Sequence, residues 1–259
     1  MKIVIIGTGN VAYHLAKALH ANKIFVEQIF GRNTKEAQKI AEEIGTHFSS
    51  QHLADADLYL ISVSDTSIPE VSKIITKKEA LVAHTSGSLP KEILIGDYKK
   101  ACFYPLQTFS KAKELDYSQI PFFIEAENQE DENALTNLAL KISDKVQSAD
   151  YEKRKYIHLT AVFACNFVNH LFTKAKEISD SQNIPFNYFL PLIDETVEKI
   201  HFLDPKLAQT GPAVRNDQRI LELHEALIHD ENALKIFKTI NNSILDLYQL
   251  KDTFPEKNN

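Results

Sequence analysis

Residues 3–34 read IVIIGTGNVAYHLAKALHANKIFVEQIFGRNT, and the fold is decided by how this stretch is read. The apolar run Ile3-Val4-Ile5-Ile6 stops at Gly7-Thr8-Gly9-Asn10-Val11-Ala12. A helical pattern follows over residues 11–20, then a second strand-like run over residues 25–30. This is the G-x-G-x-x-A form of the dinucleotide-binding fingerprint, lying between strand and helix as its mechanism requires. Gly7 permits the tight turn, Gly9 lets the backbone approach a pyrophosphate, and Ala12 lets helix and strand pack closely. The pyrophosphate then rests on the helix N-terminus, where open N–H groups and the macrodipole favour an anion. Gly7, Thr8, Gly9, Asn10 and Val11 are the candidate cofactor contacts. The same glycines can also shape a turn that binds nothing, and it is the strand–helix–strand context that favours the dinucleotide.

The end of the second strand selects the cofactor. An NAD site usually places Asp or Glu there to hold the ribose 2′-OH. No acid ends this strand: Glu27 comes three residues too early, and Arg32-Asn33-Thr34 follow. A guanidinium flanked by hydrogen-bond donors suits a 2′-phosphate, so the expected cofactor is NADP(H). The alternative leaves Arg32 as a solvated loop charge.

Composition bounds the rest. The 259 residues suffice for one large or two ordinary domains, and 44% hydrophobic with 25% charged residues is ordinary for a globular protein. A formal net charge of −6 argues against broad nucleic-acid or anionic-membrane binding. Cys102 and Cys165 lie in apolar surroundings without metal-ligand spacing, which points to buried free thiols in a reducing compartment. With neither a signal peptide nor a span-length apolar run, the expected location is the cytoplasm.

Along the chain, residues 35–44 carry helical apolar spacing and stop at Gly45, while 47–48 begin a short strand. The run DLYLISV (57–63) reads as a central parallel strand, followed by a helix over 68–75 with Pro69 in its first turn. Further strands are expected at 80–83, 101–104, 121–125 and 145–148, with a brief helix near 90–94 and a longer one over 130–143. Such alternation predicts an α/β fold: a doubly wound, mainly parallel Rossmann sheet over residues 1–150. Beyond residue 150 strands cease. Helices are expected over 155–180, 190–200, 218–229 and 231–247, with Asp217 and Asp230 as N-caps and a frayed polar tail at 251–259. Residues 151–259 thus form an all-α second domain.

Ligands of open α/β sheets bind beyond the C-terminal ends of the strands. Ser64, Thr85 and Ser86 lie at such ends and can hydrogen-bond a ribose or carboxamide, or simply serve as loop residues. His84 can move a proton near neutral pH, though a lone His after a strand is often structural. In the second domain His158, Asn166 and His170 recur at multiples of four, placing polar groups along a helix that otherwise carries Leu159, Phe163, Phe167 and Leu171. Metal binding is not expected, because no carboxylate or thiol completes that set. The loop at 210–217, TGPAVRND, offers Thr210 and Arg215. Arg215 can clamp a substrate carboxylate, or pair with Asp217 or the first domain.

These motifs resemble the Rossmann-like oxidoreductases whose C-terminal part is domain of unknown function 2520. The resemblance rests on Gly7 to Ala12, His84 to Ser88, Tyr104 to Phe109, His158 with Asn166-Phe167, and Thr210-Gly211-Pro212 with Arg215 and Asp217. It implies a C-terminal domain similar to that of 6-phosphogluconate dehydrogenases, kinship with pyrroline-5-carboxylate and ketopantoate reductases, and homodimers formed through the helical domain. Two positions depart from the pattern: Tyr104 stands where His is common, and Asn216 where Gly is usual. The catalytic Lys of the hydroxyacid dehydrogenases is absent. The sequence therefore predicts an NADP(H)-dependent oxidoreductase of a small carbonyl, hydroxy acid or imine. His158 is its acid/base, Asn166 orients the substrate, and Arg215, Thr210 and His84 bind it. The alternative is a dinucleotide-binding regulator without turnover.

Overall fold

A computed structural model describes residues 1–248, so the tail at 251–259 lies outside the described residues. By internal contacts the chain divides into two compact units, Met1–Val168 and the residues from Asn169 onward.

The first unit is built on one eight-stranded sheet in the order β3-β2-β1-β4-β5-β6-β7-β8. Its strands are β1 (Ile3–Ile6), β2 (Val26–Phe30), β3 (His47–Ser49), β4 (Leu58–Ile61), β5 (Leu81–His84), β6 (Lys99–Pro105), β7 (Phe122–Ala126) and β8 (Val146–Ser148). All pairs are parallel except β6–β7, which is antiparallel. The helices are α1 (Asn10–Ala21), α2 (Thr34–Ile44), α3 (Ile68–Ser72), α4 (Gln129–Ala139) and α5 (Tyr151–Ala161).

The near-continuous apolar strands follow from burial on both faces. Side chains alternate across a strand. Ile3 and Ile5, with Leu58 and Leu60, join the core beneath α1, α2 and α4. Val4 and Ile6, with Tyr59 and Ile61, face the opposite core with Ile68 of α3. The order in which strands are added reverses between β1 and β4, because β2 lies on one side of β1 and β4 on the other. That switch point is where an open α/β sheet leaves a crevice.

Local sequence sets the helix ends. Asn33, Asn128, Asp150, Asp217 and Asp230 each accept a backbone N–H in the first turn of the helix they precede. Gly45 ends α2 at φ 69°, a left-handed conformation that glycine adopts without steric cost.

The change from strands to helices falls after β8, but the first unit runs on through α5 to Val168. Arg154 of α5 is the reason. It is fully buried, pairs with Glu125 of β7, and donates to the carbonyls of Ala149 (3.2 Å) and Leu89 (2.7 Å).

The helix expected over 155–180 is continuous but not uniform. Between α5 and α6 (Val168–Ser181) lies a π-helical turn, Val162–Phe167. The side chains of this turn, including Cys165, are exposed except for Val162, which corrects the expectation of two buried thiols. Cys102, by contrast, is enclosed on β6, and burial pushes its thiol up to about 12, so it stays protonated and inert.

The second unit adds α7 (Leu190–Lys199), α8 (Pro205–Ala208), α9 (Gln218–Leu227) and α10 (Glu231–Leu247). Residues 205–208, expected as loop and helix break, form the short α8, with Asp204 as cap and Pro205 in its first turn. Among the described residues no helix is long and apolar enough to cross a membrane.

Candidate active site

A cleft of about 930 Å³ opens above the C-terminal ends of β1, β2 and β4, at the switch point. Its walls include Gly7 to Val11, Phe30 to Asn33, Ser62 to Ser64 and Thr85. The two fingerprint glycines are required for different reasons. At Gly7 φ is 135°, and a Cβ would lie 2.2 Å from the Ser62 carbonyl oxygen, so no other residue fits. At Gly9 a Cβ would meet nothing within 4 Å. The fold itself tolerates a side chain there, and only an occupant of the cleft needs that space. Gly9 also precedes α1 with no side-chain cap, leaving the first-turn N–H groups open toward an anion.

Arg32 is exposed on the cleft wall directly after β2. Asn33 spends its side-chain oxygen on capping α2 through the Glu36 N–H at 3.2 Å. Thr34 opens α2 and is not part of the wall. Asn10 donates to the Phe109 carbonyl at 2.9 Å, so it anchors a loop while bordering the cleft. That loop, between β6 and β7, also sends Lys111 to the Thr8 carbonyl and to Glu36, and its Ser110 carbonyl and Tyr117 hydroxyl hold the buried His14. Sequence reading missed this strap, since its contacts join residues about a hundred positions apart. It also missed Ser50, Glu70, Val71 and Ile74, which line the cleft as well. Val71 and Ile74 add apolar side chains to its lining.

The loop after β5 is organised differently from expectation. Thr85 does reach the cleft, its hydroxyl donating to the Ile61 carbonyl at 3.3 Å. Ser86 does not; its hydroxyl accepts the Ser88 N–H, a local turn bond. His84, expected to meet substrate, is wholly enclosed. Its Nε2 lies 3.2 Å from the Pro90 carbonyl and its Nδ1 accepts the Ser86 N–H at 3.2 Å. Both nitrogens are taken, so His84 is an internal pin of this loop.

Burial, with the Arg154 guanidinium nearby, pushes the pKa of His84 down to about 4. Between that value and the ordinary ~6.5 of an unfolded chain, only the unfolded state takes up the proton. Stability therefore falls as pH drops from 7 toward 4, by about 3 kcal/mol from this group alone. His84→Asn removes that component. Urea denaturation at stepped pH is expected to show a shallower acid loss in the variant than in the wild type, and parallel curves would contradict it.

His158 stands at the end of α5, half-buried, its Nδ1 3.0 Å from the Tyr104 hydroxyl. Asn166 is exposed on the π-helical turn. In a plain α-helix, positions eight apart drift by about 80°. A turn with more residues advances less per residue, so the π segment keeps Asn166 closer to the His158 side than the α pattern allows. Thr210 and Arg215 belong to the second unit and are exposed. Asn216 beside them has φ 53°, a left-handed conformation that Asn tolerates and that accounts for Gly being usual there. Among the described residues no three metal-capable side chains cluster.

Residues 2–87 match the family described as NADP oxidoreductase, coenzyme F420-dependent, and residues 120–244 the one described as domain of unknown function DUF2520. The crystal structure of a "putative NADP oxidoreductase" from Bacteroides fragilis is 40% identical, covering 95% of this chain and 98% of that one, with a TM-score of 0.90. The chain belongs to this family of NADP oxidoreductases. A protein of Thermotoga maritima is 24% identical over 94% of this chain and 99% of its own, with a TM-score of 0.77. A reductive aminase from Aspergillus terreus, solved with NADPH and ethyl-5-oxohexanoate, is 13% identical over 98% and 99% of the two chains, with a TM-score of 0.69. The likeness to these two shows the fold alone. No curated protein matches the chain. As a member of this oxidoreductase family the chain is an NADP-dependent enzyme, and the open α1 terminus, the space over Gly9 and the Arg32 side chain fit that cofactor.

Proposed function

We propose that the protein is a reductase or dehydrogenase of a small carbonyl, hydroxy acid or imine, with His158 as its acid/base. One observation carries this reading: the β5 loop runs from the cleft wall at Thr85 to Gly87, which lies against the Tyr104–His158 pair. This loop thus links the cleft wall to a proton-carrying group two residues further along it. Gly7 to Val11 with Arg32 and Asn33 hold NADP(H), joined by Ser64 and Thr85. When bound, the cofactor supplies or takes up the hydride. In reduction, the His158 imidazolium gives the Nε2 proton to the substrate oxygen or nitrogen, and the ring, left momentarily with its proton on Nδ1 against the Tyr104 oxygen, is protonated again at Nε2 from solvent. Asn166 orients that oxygen or nitrogen.

The reading includes a homodimer through the second unit, working in the cytoplasm. The dimer's support is apolar side chains in the second unit left to solvent, with Phe202 79% exposed, Leu207 76% and Leu227 74%, because apolar surface gathered into a patch marks an interaction site. The test of the reaction is NADPH oxidation across keto acids and cyclic imines. Turnover of any of them supports the reading. NADPH bound with no turnover on the whole panel would mark a dinucleotide-binding regulator instead.

A further inference from the structure

β6 delivers Tyr104 to the end of the sheet, where it is 7% exposed and packs with Cys102, Phe123, Ala149 and Ile157. Its ring meets His158 edge-on, with centroids 5.9 Å apart and planes at 62°. The Tyr104 hydroxyl lies 3.0 Å from Nδ1 and makes no other hydrogen bond among the described residues. Both partners are held from behind, Tyr104 by the sheet and His158 by Arg154 one turn earlier on α5. Gly87 closes the third side. A Cβ there would lie 2.5 Å from Cζ of Tyr104 and 2.9 Å from Nδ1 of His158, so the pair leaves room only for glycine.

We propose that Tyr104 is a positioning residue that keeps a proton on Nε2 of His158, so that the ring meets substrate as a donor. This rests on the role given to His158 above. Burial pushes the Tyr104 phenol up to about 12, and it therefore keeps its own proton at working pH. When the His158 ring is neutral, the Tyr104 O–H, which has no other acceptor among the described residues, is satisfied by donating to Nδ1, and the ring proton then sits on Nε2. When the ring is charged, Nδ1–H donates to the Tyr104 oxygen, and Nε2 again carries a proton. Without the hydroxyl both neutral tautomers are open, and the ring offers the substrate a lone pair part of the time. Tyrosine at 104 thus orients a proton donor in place of being one.

The test reads the ring itself. In ¹⁵N-labelled protein at about pH 8.5, roughly 2 units above an ordinary His pKa, long-range ¹H–¹⁵N correlation distinguishes the two tautomers of His158. The wild type is expected to show the proton on Nε2 alone. Tyr104→Phe keeps the ring's volume and loses the donor, so it is expected to give a mixture. Gly87→Ala, which pushes the pair apart from the loop side, is expected to do the same, so that one variant still reads if the other fails to fold. A wild-type ring protonated on Nδ1, or Nε2–H persisting in both variants, would overturn the proposal. The spectrum needs no substrate, so it separates this claim from the reductase reading, which fails only if no panel member is turned over. On a substrate that is turned over, Tyr104→Phe is expected to lower kcat by up to about a hundredfold with KM little changed.

Discussion

His158→Ala is expected to lower kcat by about 10²- to 10⁴-fold while leaving NADPH affinity unchanged. The two effects separate because the groups are separate. His158 stands on α5 against Gly87 and Tyr104, whereas the cleft walls are drawn from the loops after β1, β2, β4 and β5 and do not include it. A hydride can still move in the variant, but the charge left on oxygen or nitrogen is then relieved only by solvent. Carbonyl substrates are expected to suffer more than a preformed iminium, whose nitrogen needs no proton once the hydride has arrived. Asn166→Ala is expected to act in the same direction and more weakly, because it removes an orienting contact and no proton. Steady-state kinetics on both variants, with NADPH titrated by fluorescence, check this. Turnover that survives both substitutions would remove α5 and the π-helical turn from the chemistry.

Arg154→Met is expected to destabilise the first unit by about 3–5 kcal/mol. The guanidinium is fully buried, and Glu125, with a side chain only 10% exposed, depends on it and on Lys91. Removing the guanidinium leaves the buried Glu125 carboxylate with Lys91 as its remaining ion-pair partner, and it also releases the carbonyls of Leu89 and Ala149. The Nε of Arg154 has no hydrogen-bond partner among the described residues. The network is therefore not ideal as a source of stability, and its geometric role is the stronger one: it ties the helix bearing His158 to β7 and to the segment that follows Gly87. Replacing both charges, Arg154→Met with Glu125→Leu, is expected to cost less than the single substitution, since no buried charge is left alone. Urea denaturation of the two variants tests this, and a double variant less stable than the single would contradict it.

The first half of the molecule was legible because its signals are local. Strand, turn, helix and strand follow one another within thirty residues, and the apolar runs report burial on both faces. The cap of α10 at Asp230 and the stop of α2 at Gly45 were equally readable, each being one residue's chemistry. What could not be read depends on distant pairings. His84 at a strand end reads as either a proton carrier or a structural side chain, and only the fold decides by supplying Pro90 and Ser86 for its two nitrogens. Tyr104 looked like the loss of a donor until β6 and α5 brought it to His158, fifty-four positions away. Arg154 reads as one more helical cation, and nothing local announces that Glu125 waits for it. The π turn at 162–167 is invisible to a spacing rule that assumes 3.6 residues per turn.

The central claim is that this cleft holds NADP(H) through Arg32. Its most direct test is a fluorescence titration of the wild type and Arg32→Ala with NADPH and with NADH. The account predicts that the wild type binds NADPH more tightly than NADH. It also predicts that Arg32→Ala weakens NADPH by about tenfold or more, the scale of a charge-assisted hydrogen bond, while NADH binding changes little. Equal affinity for the two nucleotides, or an unchanged NADPH affinity in the variant, would contradict it.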